Sequence, residues 1–178
     1  MDQINTLEDP IVAPSTGFLA NKNFVIVTLI GACAASLSAW LVASLGLPLW
    51  VMFTGFIAWY SRPTSRRESI GSVVALWLGM LLAPGAAAAT AFVAPTLGLF
   101  TLPVSVFIVT ALIVGFRALP AVGNILCWFL GFVTVTAASH ARVPADVMML
   151  IAASAVGAFA AWACQALSAP FEKHHTAN

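Results

Sequence analysis

Charge is what this chain lacks most. Of its 178 residues, 7% are Asp, Glu, Lys or Arg, against about 25% in an ordinary globular domain. A surface so poor in charge cannot be solvated all round, which excludes a water-soluble domain and leaves lipid as the surrounding medium. The net charge is +1, so neither a basic nucleic-acid face nor an acidic solvating block is available. Cysteine is scarce too. Cys33, Cys127 and Cys164 lie in apolar stretches, with no C-x-x-C pair and no metal-ligand spacing; this excludes a disulfide framework and reads as small, polarisable packing. A phosphate loop, a dinucleotide fingerprint and a nucleophile–base–orienter set are all missing, so no enzyme, cofactor or metal is expected. His140, His174 and His175 fall in a loop or a tail without metal-spaced partners. The first 22 residues, with Asp2, Glu8, Asp9, Pro10 and Pro14, lack a basic start followed by an apolar run. They read as a cytoplasmic tail and not as a cleaved signal.

What the chain has is hydrophobicity: 61% of its residues, with a mean hydropathy of +1.01. The pattern predicts six transmembrane helices. The first covers 23–44 and ends at Gly46-Leu47-Pro48; the second, 48–60, spans only roughly 20 Å of a core near 30 Å. A polar stretch, 61–69, precedes a third span at 70–93, expected to kink or stop at Pro84-Gly85. Residues 94–98 read as an outer loop. The fourth span is 100–116, the fifth 121–139 and the sixth 147–167, with 140–146 as an outer loop. The domains expected are a tail (1–22), a six-span bundle (23–168) and a second tail (169–178).

The basic residues orient this bundle. With the N-terminus in the cytoplasm, Lys22, Arg62, Arg66, Arg67, Arg117 and Lys173 fall inside and only Arg142 outside, the asymmetry of positive-inside topology. The C-terminus is then cytoplasmic as well.

Leu47-Pro48 is echoed by Leu119-Pro120, and Gly55-Phe56-Ile57 by Gly131-Phe132-Val133. A shift near 76 residues lays the first three spans over the last three. Three being odd, such halves would be inverted in the membrane, as in many transporters.

No charged residue lies well inside a span, which argues against a proton-coupled carrier with a conventional carboxylate. The polar candidates for a solute path are Thr54, Asn124 and Thr134, with Gly55 and Gly131 beside them; such groups suit a small neutral solute. Asn124 equally suits a helix start. Gly31 with Ala35, and Ala153, Gly157 and Ala161, form small-residue stripes that allow close helix packing or a homo-oligomer interface. Of six tryptophans, Trp50 and Trp59 suit interfacial anchoring, while Trp77 and Trp128 fall deeper.

The run from Trp40 to Trp50 (W-x-x-x-S-L-G-L-x-x-W), with Phe53-Thr54-Gly55-Phe56, Ala58-Trp59-Tyr60, Pro63 and Phe129-Leu130-Gly131-Phe132-Val133-Thr134, resembles the YcdZ-like bacterial inner-membrane proteins, domain of unknown function 1097. The likeness covers about residues 30–168. It implies a small multi-pass protein of the bacterial inner membrane and brings no activity with it. Two functions are therefore expected: a channel or transporter for a small solute, or a non-transporting membrane protein that scaffolds a partner.

Overall fold

The computed structural model describes residues 22–138 and 144–172, the side chains of Pro144, Phe171 and Glu172 excepted. Among them the chain forms six α-helices and no strand: α1 (Lys22–Ser44), α2 (Leu49–Tyr60), α3 (Arg66–Leu97), α4 (Thr101–Gly115), α5 (Ile125–Ala137) and α6 (Pro144–Glu172). Three helical stretches are long and apolar enough to cross a bilayer: Lys22–Ser44, Arg66–Ala118 and Ala145–Pro170. The second runs through α3, α4 and the 3₁₀ turns beside them. Leu49–Tyr60 and Ile125–Ala137 are apolar but shorter. Large apolar side chains cover the outside, with Leu99 96% and Phe92 86% exposed. Helices apolar on their outer faces belong in a membrane.

Local chemistry sets the first boundaries. Gly46 takes a left-handed φ of 67°, and the amides of Gly46 and Leu47 bond back to the carbonyls of Ala43 and Val42. This glycine stop ends α1, and Pro48 occupies the N-cap of α2. Ser65 caps α3 by accepting from the Glu68 amide, and Thr64 Oγ1 donates to the Glu68 carboxylate. Serine followed three positions later by glutamate is a helix-start signature.

Besides the start of α3 at Arg66, inside the expected polar stretch 61–69, three boundaries differ from the sequence expectation. First, α3 runs unbroken through Pro84 and Pro95 to Leu97, absorbing most of the expected 94–98 loop; the turn falls at Gly98, with φ 50°. Proline costs a helix one bond, which a membrane helix tolerates where neighbouring groups compensate. Second, α5 begins at Ile125, not near 121. The chain after Leu119 turns too tightly for a helix: a Cβ on Gly123 would lie 2.6 Å from the Leu119 carbonyl oxygen and 2.7 Å from that of Arg117. The fifth helix, at 13 residues, is thus nearly as short as the second, at 12. Third, α6 starts at Pro144 and continues to Glu172, so it takes in part of the expected outer loop and of the C-terminal tail. Residues 1–21, His140, Arg142, Lys173, His174 and His175 lie outside the described residues.

Packing follows glycines. A Cβ on Gly55 would lie 1.8 Å from the carbonyl oxygen of Ser154, and one on Gly157 1.8 Å from that of Met52. These contacts join α2 to α6. A Cβ on Gly131 would lie 1.9 Å from the carbonyl oxygen of Leu76, and one on Gly79 2.2 Å from that of Trp128. These join α3 to α5. The two sets match at two nearly equal offsets: Gly131 and Trp128 stand 76 positions after Gly55 and Met52, and Gly157 and Ser154 stand 78 after Gly79 and Leu76.

Burial repeats the offset. In α2 the buried set includes Val51, Met52, Gly55, Ala58 and Trp59; in α5 it is Cys127, Trp128, Gly131, Thr134 and Val135. Buried Ser69, Ser72, Ala75, Leu76, Gly79, Met80 and Ala83 of α3 correspond in the same way to buried Val147, Leu150, Ala153, Ser154, Gly157, Ala158 and Ala161 of α6.

The two pairs run in opposite directions. Farther from the crossing, Trp59 meets Gln165 and Asn124 meets Ser72, so α2 is parallel to α6 and α3 to α5. Between the pairs, Trp77 meets Ser154 while Ile70 shares a pocket with Trp162, which makes α3 antiparallel to α6. Helix α1 packs on α6 and α2, and α4 on α3 and α5. The result is two interleaved three-helix bodies, α1/α2/α6 and α3/α4/α5.

Candidate functional site

The residues proposed for a solute path do not gather at one point. Gly55 faces α6 and Gly131 faces α3, each filled by a backbone carbonyl. The Thr54 hydroxyl is buried and donates to the Val51 carbonyl at 2.7 Å; that of Thr134 donates to Leu130 at 2.6 Å. Both thus satisfy their own helices. Of the stripe residues, Ala153 and Ala161 are fully buried and Gly157 lies against α2, so this stripe is used inside the chain. Gly31 sits near the Cys164 thiol, where a Cβ would come to 3.7 Å, and Ala35 is half-buried on the same helix.

Asn124 has the richest surroundings. It holds the N-cap position of α5 without a side-chain capping bond. Its Nδ2 instead donates to Ser61 Oγ at 2.7 Å and to Ser72 Oγ at 2.8 Å. Ser61 Oγ lies 3.3 Å from Cys127 Sγ, and Arg62 Nη2 donates to the Gly123 carbonyl at 3.3 Å. Trp128 Nε1 donates to the Val122 carbonyl, and its ring lies 4.4 Å from that of Phe116; the hydrogen bond and the ring contact brace the turn that delivers Asn124. The cluster ties the end of α2 to the starts of α3 and α5.

A second polar point joins the two bodies, where Trp77 Nε1 donates to Ser154 Oγ at 3.0 Å. Beside it lies a pocket of about 240 Å³ with Trp59, Trp77, Phe159 and Trp162 in its wall. The Trp59 ring is not an exposed anchor. It is 7% exposed, and its Nε1 donates to Gln165 Oε1 at 2.9 Å. Trp50 is exposed, as an anchor requires.

Sequence reasoning missed Ser61, Ser72 and Ser154, since serines in apolar helices carry no distinctive pattern. It also passed over Gly79, although the repeat that pairs Gly55 with Gly131 pairs Gly79 with Gly157 within two positions. Among the described residues no group of three or more His, Cys, Asp or Glu could hold a metal ion.

A protein-family model described as "Protein of unknown function (DUF1097)" matches residues 28–169, most of the chain and all but the first six residues of α1 and the last three of α6. The chain belongs to this family. No curated protein and no solved structure matches it. The geometry of this DUF1097 protein is that of two glycine-welded helix pairs, α2 with α6 and α3 with α5, and a hydrogen-bonded seam between them.

Proposed function

We propose that this DUF1097 protein spans the bacterial inner membrane six times, as two inverted three-helix halves with both ends in the cytoplasm, and provides a pathway for a small neutral solute. The observation that carries this reading is the reciprocity of the glycine crossings, in which α2 grips α6 as α5 grips α3. Inverted halves place a site near the bilayer midplane and permit one bundle to rock against the other.

The pathway runs along the seam between the bodies, past Ser154 and Trp77 toward Asn124, since Gly55 and Gly131 are occupied by backbone. A neutral solute suits this seam because the buried polar side chains among the described residues are Ser, Thr and Asn, which exchange hydrogen bonds without the cost of a buried charge. Self-association belongs to the proposal through the exposed faces of α1 and α4, where Leu37, Trp40 and Phe107 stand out from the surface, and not through Gly157.

Purified protein in liposomes tests the reading. Flux of at least one member of a panel of small neutral and ionic solutes, above that of empty liposomes, is the expected result. No flux for any of them would leave the alternative, a membrane protein that scaffolds a partner.

A further inference from the structure

The offset that relates the two halves also shows where they differ. Moving 76 positions along from α2 to α5, and 78 from α3 to α6, carries Ser61 to Ala137 and Ser72 to Leu150. Moving 76 back carries Cys127 to Val51, while Asn124, just before α5, is answered by Pro48, just before α2. The hydrogen-bonded cluster around Asn124 therefore has a wholly apolar counterpart at the opposite end of the bundle.

We infer that Ser61, Asn124 and Ser72 form a one-sided clasp, which latches the α1/α2/α6 body to the α3/α4/α5 body at the arginine-rich end and releases as the bodies part. Two kinds of contact separate welds from latch. Within a body, glycine lets backbone meet backbone, with no room even for a methyl group, and such a crossing does not slide without unpacking both helices. Across the seam at this end, where the turn 61–65 carries the chain from α2 into α3, the non-covalent contacts are side-chain bonds, Asn124 to Ser61, Arg62 to Gly123 and Ser69 to the Arg62 carbonyl, each individually weak and exchangeable with water. Ser72, on the α3 side, holds the second Nδ2 proton, so Asn124 keeps its orientation when Ser61 withdraws. Among the described residues, the opposite end, with Ala137, Leu150, Pro48 and Val51, offers no such side-chain bonds, so there the described contacts part at lower cost. The purpose of the clasp rests on the pathway proposed above; its geometry does not.

The native cysteines test it. Cys127 is fully buried beside the clasp, at the seam, while Cys164 is buried within one body near Gly31. In a Cys33→Ala background, in native membranes, both thiols should react slowly with a small water-soluble maleimide. Asn124→Leu and the milder Ser61→Ala should each speed modification of Cys127 on the order of tenfold, the population shift expected for one or two lost hydrogen bonds, and leave Cys164 protected. Cys127 remaining as slow as in the parent in both variants overturns the clasp. Cys127 and Cys164 becoming reactive together in Ser61→Ala overturns the separate bodies. Either result can be read whether or not solute flux is found.

Discussion

Gly55 of α2 rests on the backbone carbonyl of Ser154 in α6, at a spacing where an added Cβ would come within 1.8 Å of the oxygen. In lipid, helices gain little from hydrophobic attraction to one another, so close backbone approach and the dispersion it brings carry the association. The same contact recurs between Gly131 and Leu76, which makes this approach the repeated element of the fold.

Substituting alanine at Gly55, Gly131, Gly79 or Gly157 should therefore destabilise the protein by about 1–3 kcal/mol or more, the range of overpacking. Gly85 is the control: a Cβ there meets nothing within 4 Å, and alanine is the better helix former. Thermal unfolding in mild detergent should show Gly55→Ala well below the parent and Gly85→Ala at or above it. Equal midpoints for these two variants would contradict the crossing.

Leucine at Gly55 or Gly131 is a poor probe of a solute path for the same reason. Either variant should lose fold and flux together, seen as aggregation or loss of yield in detergent. A well-folded Gly55→Leu protein would mean that α2 and α6 are farther apart than described.

Gln165→Leu should cost about 1–3 kcal/mol by leaving the buried Trp59 indole N–H without its acceptor. Gln165→Glu, which keeps an oxygen acceptor in place, should lose less. Chemical denaturation followed by tryptophan fluorescence reads both; a leucine variant as stable as the parent would show that this bond contributes nothing.

Membrane orientation is open to direct measurement. Reporter fusions after Glu68 and after Lys173 should read cytoplasmic and one after Arg142 periplasmic, as the basic residues require. Reversed signals would invert the proposed topology, and equal ones would break the six-span count.

Size in mild detergent and in nanodiscs tests self-association. A homo-oligomer should persist in Phe159→Ala, on the groove between α1 and α6, only if the α4 face makes the contact. Trp40→Ala should then be equally silent, while Phe107→Ala should shift the particle toward monomer. A parent that runs as a monomer in both media removes self-association from the proposal.

The first helix, its stop at Gly46 and the proline start of α2 were legible because each depends on a few neighbouring residues, and the Ser65–Glu68 start of α3 was as local a signal but was passed over. The late start of α5 was not, since it follows from how Leu119–Asn124 folds back on Arg117 and receives Arg62. The bonds of Thr54 and Thr134 to their own helices were not legible in sequence, because a hydroxyl in an apolar helix looks the same whether it faces a path or bonds back to its own turn.

By itself the sequence determined that the chain is helical and lipid-facing, and that its second half echoes its first, since composition, local end signals and a fixed offset need no partner to be read. Only the tertiary structure decided that α3 leaves its own half to join α5, that α6 leaves its half to join α2, and that Asn124 bridges Ser61 and Ser72. The reason is physical. A helix apolar on every side carries no stripe that marks its inner face, and glycine, having no side chain, shows its partner only when another backbone is laid against it.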